Sequence, residues 1–510
     1  MASRTENSIM NATTSIICQV ATMVCNFFVR IIFIKTLGSD YLGINGLFSS
    51  ILSILALSEL GVGSAIVFSL YKPLSENDKR KIQALMQLYK KTYIMIGTFI
   101  FCIGLCLVPF LDRLVNFKQD LPVNYTICYL LFLSNTAIPY LFFSYRTSII
   151  SASQRTYVVK KYEIFFNLGS SLIQLITLVL LKNFYVYIAI PIITSILQNC
   201  VTSQKAVQLY PILKSREKVA LERDEKTKIL KNIYAMSITR FSTTIYSSCD
   251  NIIMSFFLGT SVVGLNSNYI MITGMVTTFI NLVFNSFTAS VGQLNVVETT
   301  ERKLQVFRKI QLITFWVYGF SSVCLAQLIN PFIKLIFGKK YVFSQFIVIA
   351  IVLAFLIQGL TRTVLLYKDA CGLFWETRYR ALLSAVVNLV ASWILVQIIG
   401  VAGAYIGTVI CILTTTFLVD PKIVFKKVFE RSSLEFYIWY VKSIILIAMA
   451  YSLVEVVNSF VQGDGVVAFI YQCVTCVLIT NILFLLVHRK SEEFGYFQDM
   501  LLKIVKRVRR

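Results

Sequence analysis

Runs of about 20 or more apolar residues recur along the sequence, broken by short polar segments rich in Lys and Arg. Read by length, they predict about fourteen membrane-spanning helices. The first runs from about Asn11 to Ile34, the second from Leu42 to Tyr71 and the third from Thr92 to Val115. The fourth covers Tyr125 to Ile150, the fifth Tyr162 to Leu181 and the sixth Val186 to Leu209. The seventh to twelfth fall near 232–258, 262–292, 307–337, 343–367, 380–399 and 402–419, and the last two near 438–460 and 466–487. The fold class is therefore all-α and polytopic. Before the third span, Glu76–Lys91 is basic, with Ile82, Leu85, Met86 and Tyr89 at helical spacing. Such a segment either lies flat on the membrane surface or lengthens the third helix.

The pattern repeats. RIIFIKTLGSDYLGIN, from Arg30 to Asn45, returns about 221 residues later as NIIMSFFLGTSVVGLN, from Asn251 to Asn266. Leu37-Gly38 falls on Leu258-Gly259, Gly43 on Gly264 and Asn45 on Asn266. Further markers keep nearly the same offset: Arg80–Gln83 with Arg302–Gln305, Pro109-Phe110 with Pro331-Phe332, Arg146-Thr147 with Arg362-Thr363, and Asn167-Leu168 with Asn388-Leu389. The expected organisation is a first lobe of six helices (1–210), a charged linker (211–231) and a second lobe of six (232–424). An appended helix hairpin (438–488) and a basic tail (489–510) follow. With an even number of spans in each copy, both insert the same way up, and the relating axis runs along the membrane normal.

Composition narrows the picture. Of 510 residues, 57% are hydrophobic and 14% charged, with a mean hydropathy of +0.73; that leaves no sizeable water-soluble domain to hold a separate enzyme. The net charge of +23 would suit a nucleic-acid binder, but the charges lie on alternate loops between apolar spans. With the N-terminus inside, about 36 of the 48 Lys and Arg fall on cytoplasmic segments. Both termini are then cytoplasmic, and the basic loops meet anionic lipid headgroups rather than nucleic acid. The first span is too long for a cleaved leader, carries Arg30 and has no small-residue cleavage site. The twelve cysteines are scattered, and Cys473 and Cys476 make their C-x-x-C inside a span. His488 is the single histidine, so neither a His-rich metal site nor a His-based triad is expected. Gly403 and Gly407 form a G-x-x-x-G, a signature of close helix contact.

Ionisable residues at membrane depth carry the functional signal, because they are costly there and face a cavity or a partner. These are Arg30, Glu59, Arg240 and Asp250. The repeat puts Arg30 on Asn251, beside Asp250, in the outer half of the membrane; Glu59 and Arg240 share a depth in the inner half. They are read as path-lining groups or as buried ion pairs, and a gate is a breakable ion pair, so the two readings overlap. Arg binds phosphate in a planar, bidentate way and stays charged, which makes Arg30 and Arg240 the expected ligands of an anionic headgroup. Asn45, Asn266 and Asn268, with Gln19, Ser242 and Thr243, are placed to take hydroxyls. Glu59 and Asp250 are the expected coupling or gating carboxylates. No phosphate-binding G-x-x-x-x-G-K-[ST] loop is present, and no cofactor is expected.

FFVRIIFIKTLGSDYLGINGLFSSILSILALSELGVGSAIVFSLY in the first two spans, KRKIQ before the third and GVAGAYIGTVI in the twelfth resemble the polysaccharide transporter branch of the multidrug/oligosaccharidyl-lipid/polysaccharide (MOP) exporter superfamily. These are the Wzx-type O-antigen and capsule flippases, and the likeness extends over nearly the whole chain. The resemblance implies a MATE-like, V-shaped, two-lobed bundle in the bacterial cytoplasmic membrane that opens to each side in turn. It implies an undecaprenyl-pyrophosphate-linked oligosaccharide as substrate, moved from the inner to the outer leaflet, and a cationic central cavity. The expected partners are that lipid, membrane lipids and a polysaccharide polymerase, with the chain acting as a monomer. Two other readings stay open: a cation-coupled drug exporter of the MATE type, whose cavity is more acidic or apolar, and a polysaccharide polymerase or ligase, which needs catalytic groups on large outer loops.

Overall fold

The computed structural model describes residues 4–56, 62–111, 121–153, 155–215, 217, 219, 227, 248–373, 376–460 and 465–495. Among these residues there are helices and no strands. In the first half they are α1 (Arg4–Thr36), α2 (Ser39–Leu55), α3 (Val62–Ser75), α4 (Lys79–Leu107), α5 (Tyr125–Leu141), α6 (Thr147–Ala152), α7 (Thr156–Leu180), α8 (Phe184–Leu209) and α9 (Ser248–Leu258). In the second half they are α10 (Thr260–Val297), α11 (Thr300–Ile336), α12 (Gln345–Leu360), α13 (Arg362–Ala370), α14 (Arg378–Ile399), α15 (Val401–Thr414), α16 (Thr416–Val424), α17 (Leu434–Ser459) and α18 (Val466–His488). Eleven of the described helical segments are long and apolar enough to cross a membrane, and a twelfth is Tyr125–Leu141 with Ser144–Ala152, bent by 44°. The other two of the fourteen expected spans, the second and seventh, run partly outside the described residues. Glu76–Lys91 resolves the alternative left by its sequence: from Lys79 it is the first part of α4, continuous with the third span.

Helix starts follow local chemistry. Asp78 accepts from the Lys81 amide, Asn124 from Ile127, Asn183 from Tyr185 and Val186, and Thr299 from Arg302. Each side chain satisfies amides that the helix leaves unpaired. The outward faces are apolar: Leu172, Ile176 and Leu180 on α7 are exposed, as are Leu383, Val386, Val390 and Ile394 on α14. Stripes of this kind at helical spacing are made for hydrocarbon. The chain is a multi-pass membrane protein.

The chain divides into two compact units, Met1–Gly264 and Leu265–Arg510. In the first, α1 packs on α7, α7 on α8, and α5 on α4, α8 and α2. In the second, α14 packs on α15, α12 on α15 and α11, and the pair α17–α18 on α11. The G-x-x-x-G serves the α14–α15 contact: a Cβ on Gly403 would meet Leu395 O at 2.2 Å, and one on Gly407 would meet Ser392 Oγ at 2.7 Å. The α17–α18 hairpin is held to α11 by Trp316, whose Nε1 donates to Asn481 Oδ1 at 2.8 Å, and by Phe315 against Phe484.

The two copies of the repeated motif share a backbone signature. Gly38 and Gly259 turn the chain at φ of 95° and 94°, in a region that only glycine enters freely. Within the first unit the copies then meet reciprocally. A Cβ on Gly43 would lie 1.9 Å from Thr260 O, and one on Gly264 would lie 2.1 Å from Ser39 O. Ser39 and Thr260 are themselves equivalents in the repeat, as are Asp40 and Ser261, and Ser261 donates to the Asp40 carboxylate. Such exchange is the contact that two-fold-related copies make. A side chain has no room here, so Gly43→Ala is expected to cost about 1–3 kcal/mol. Gly169→Ala, where nothing lies within 4 Å, is expected to be harmless. Thermal unfolding of the two purified variants in detergent checks this.

Candidate functional site

The polar interior of the first unit is a cavity of about 300 Å³ between α2, α5, α7 and α8. From α2 come Asn45, Ser49 and Ser53, spaced four apart and so on one helix face. From α5 come Asn135 and Thr136, from α7 Gln174, and from α8 Tyr187 and Pro191. Ser49 donates to Asn45 Oδ1 at 3.2 Å. Among the described residues the Asn135 side chain has no hydrogen-bond partner.

Two prolines shape the wall. Pro191 has no N–H, so the Tyr187 carbonyl loses its helical donor. Gln174 Nε2 replaces that donor at 3.3 Å. Pro139, inside α5, likewise leaves the Asn135 carbonyl without its helical donor. The cavity therefore presents amides, hydroxyls and loosened carbonyls beside apolar Leu52, Ala56, Phe132 and Ile188, and no carboxylate lies among its described lining residues. Groups of this type exchange hydrogen bonds with sugar hydroxyls.

Arg30 lies on α1, half-buried, within electrostatic reach of Tyr187. Tyr187 lines the cavity and packs on Phe33 with ring centroids 4.8 Å apart. Asn45 lines this polar space; Arg30 is not among its lining residues and is linked to it only through Tyr187. Asp250 is half-buried on α9; its neighbour Asn251 donates to Ser50 Oγ on α2 at 3.1 Å. Glu59 and Arg240 lie outside the described residues.

In the second unit Asn266 and Asn268 are fully buried on α10. The Tyr405 hydroxyl donates to Asn266 Oδ1 at 2.6 Å, which ties α10 to α15. Asn45 and Asn266 are equivalents in the sequence but live differently: one lines a cavity, the other is enclosed.

Sequence reasoning named the amides Asn45, Asn266 and Asn268 but not the other polar residues of this cavity. Ser49, Ser53, Asn135, Gln174 and Tyr187 were missed, although Asn45-Ser49-Ser53 is a polar stripe at helical spacing inside an apolar run. It also missed a buried charge cluster. Arg380 Nε lies 3.1 Å from Asp420 Oδ1, with Asp420 fully buried, and Arg380 Nη1 donates to Thr416 at 2.6 Å. Lys368 lies 3.3 Å from Asp369 nearby. An Asp followed by Pro421 at the end of an apolar run is the signal that marks it.

No protein-family model matches the chain, and no curated protein matches it. Solved structures do match. A lipid II flippase, MurJ, in an inward closed conformation, is 16% identical with a TM-score of 0.65, over 94% of this chain and 99% of that one. An inward-facing multidrug resistance MATE transporter of the MOP superfamily is 15% identical with a TM-score of 0.60, over 84% of this chain and 96% of that one. A MOP superfamily transporter from Pyrococcus furiosus is 12% identical with a TM-score of 0.54, over 88% and 97%. The likeness is one of fold, and the fold is that of MOP superfamily transporters.

Breaking one partner of a buried ion pair leaves an uncompensated charge and costs about 3–5 kcal/mol. Asp420→Ala is expected to destabilise the protein by that order. Arg380→Met with Asp420→Leu is expected to recover most of it. Chemical denaturation in detergent reads both.

Proposed function

We propose that this chain is a flippase for lipid-linked oligosaccharides. It carries an undecaprenyl-pyrophosphate-linked repeat unit from the inner to the outer leaflet of a bacterial cytoplasmic membrane, for surface polysaccharide synthesis. The observation that carries the reading is the carboxylate-free cavity into which Asn45, Ser49, Ser53, Asn135 and Gln174 bring amides and hydroxyls. A glycosylated pyrophosphate cannot cross hydrocarbon, because its charges and hydroxyls would lose water without replacement. In this reading Arg30 and Arg240 take the pyrophosphate, while Asn45, Ser49, Asn135 and Gln174 replace water around the sugars. The prenyl tail stays in lipid. Two six-helix lobes rock about the repeat axis to expose the path to each side, and Glu59 and Asp250 couple or gate the motion. Both termini then face the cytoplasm. The fold likeness to MurJ, named as a lipid II flippase, supports this reading.

The likeness to MATE transporters supports a second one, export of small organic molecules. Organic cations call for carboxylate or apolar walls; the described lining of this cavity has apolar residues (Leu52, Ala56, Phe132, Ile188 and Pro191) beside its amides and hydroxyls, and no carboxylate.

The test is reconstitution of purified protein into vesicles containing a fluorescent undecaprenyl-pyrophosphate oligosaccharide, with arrival in the opposite leaflet as the readout. Arg30→Ala is expected to slow transfer about 10- to 100-fold, as loss of a charged hydrogen bond of about 1.5–3 kcal/mol predicts. Arg30→Lys should fall between. Asn135→Leu should slow it less, and Arg240→Ala and Glu59→Gln complete the set. Transfer at the wild-type rate in all of them, or efflux of an organic cation with no lipid transfer, would sink the proposal.

A further inference from the structure

A second cavity in the first unit, about 900 Å³, lies away from the site above, at the opposite end of α4 from the α4–α5 connection. Four cations line it: Lys90 and Lys91 from α4, Arg146 beyond the break after α5, and Lys214 after α8. No carboxylate stands among its described lining residues. Four cations around one cavity with no carboxylate in its described lining give it a positive potential that favours a bound counter-charge.

The pocket is built rather than incidental. Arg146 Nη1 donates to Ser203 Oγ at 2.9 Å, its Nε donates to the Tyr145 hydroxyl at 3.2 Å, and its guanidinium sits 4.9 Å from the Phe143 ring centroid. Phe143 adopts a φ of 57°, a conformation costly for an aromatic residue, and it is this turn that breaks the helix and sends Arg146 toward the cavity. The far wall is clamped. Gln83 Nε2 donates to Ser215 Oγ at 2.9 Å and to Glu217 O at 2.7 Å, and the Val219 amide donates to Gln87 Oε1 at 3.3 Å. Beside the cations, Ile94, Leu141, Phe142 and Phe143 are exposed apolar side chains, so the rim continues into a lipid-facing surface.

The second copy of the repeat keeps the arginine, as Arg362, but not the two α4 lysines. Where the first has Lys90 and Lys91, the offset of the Arg-Lys-x-Gln markers puts Leu312 and Ile313, and α11 is covered there by the α17–α18 hairpin. The Lys90-Lys91 pair is therefore not a by-product of the duplicated sequence.

We infer that Lys90, Lys91, Arg146 and Lys214 form a binding site for a phosphate-bearing headgroup, distinct from the cavity beside Arg30. Arg supplies a planar fork for phosphate oxygens and the lysines supply point charges. On the orientation proposed above, the pocket opens at the inner leaflet, where anionic headgroups meet basic pockets between helices. The binding itself depends neither on that orientation nor on the transport reading.

The experiment titrates purified full-length protein in a neutral detergent with three probes: short-chain phosphatidylglycerol, short-chain phosphatidylcholine and inorganic pyrophosphate. Binding is read by thermophoresis. Wild type is expected to bind phosphatidylglycerol, more weakly as salt rises, and to ignore phosphatidylcholine. Lys90→Gln with Lys91→Gln and Lys214→Gln, all exposed positions, should bind it at least tenfold more weakly at an unchanged melting temperature. Should the triple variant unfold, Lys214→Gln alone, with an expected loss of about threefold, decides. Pyrophosphate binding that is lost in the same variants supports the site with a soluble source of phosphate; phosphatidylglycerol binding without it assigns the site to lipid. Absence of binding by wild type, equal binding of phosphatidylcholine, or undiminished binding by the variants overturns the inference, whatever the transport assay shows.

Discussion

A chain immersed in hydrocarbon has to satisfy its polar groups from within, because the surrounding solvent offers no hydrogen bonds. Most of what this structure does locally follows from that constraint. Asp78, Asn124, Asn183 and Thr299 close helix starts. Gln174 takes the carbonyl that Pro191 frees. Tyr405 occupies Asn266, and Asp420 is enclosed with Arg380. Once these debts are settled, the polar groups that remain turned toward open space stand out. Among the described residues two such places lie in the first unit: a carboxylate-free cavity lined by Asn45, Asn135 and Gln174 and a cationic pocket around Arg146. Polar surface kept open inside a membrane protein is functional by default.

The internal repeat shows what has been kept and what has diverged. The Leu-Gly turn survives in both copies with φ within a degree, and the glycines after it press against each other's motif in exchange. Backbone geometry there leaves no freedom, since any side chain would strike a carbonyl. Side-chain chemistry one turn further on has parted. Asn45 faces a cavity while Asn266 is locked to Tyr405. Lys90 and Lys91 line a pocket where the second copy has Leu312 and Ile313 under an added hairpin. The shared part is structural and the divergent part is where ligands are expected.

The helical, multi-pass architecture was legible because length and apolarity alone decide it, and the repeat was legible because the glycine turns cannot vary. The G-x-x-x-G contact could be read for the same reason. The site was legible only in part. Arg30 and Asn45 were visible as polar residues within spans, but Asn135, Gln174 and Tyr187 come from three other helices, and their convergence depends on packing that no local pattern encodes. Arg380 and Asp420 sit at span ends, where a charge is ordinarily solvated; only the fold shows that Asp420 is shut away. Lys90, Lys91 and Lys214 read in the sequence as loop charges obeying the inside-positive rule. That they share a cavity follows from the break at Phe143 and the clamp by Gln83 and Gln87.

Fold alone does not choose between exporting a drug and flipping a lipid, since the same architecture serves both kinds of solved transporter. The choice rests on the chemistry of the walls. An organic cation is held by carboxylates and aromatic faces and brings few hydrogen-bonding groups of its own; the described wall has Phe132 and Tyr187 but no carboxylate, and the Asn135 amide would be left unsatisfied around such a ligand. A sugar chain brings hydroxyls that donate and accept, and such a wall meets them one for one. Arg30 beside that wall adds a positive charge, which repels a cation and attracts a phosphate. In the function proposed above, both features suit a substrate that is anionic at one end and hydroxylated along its length.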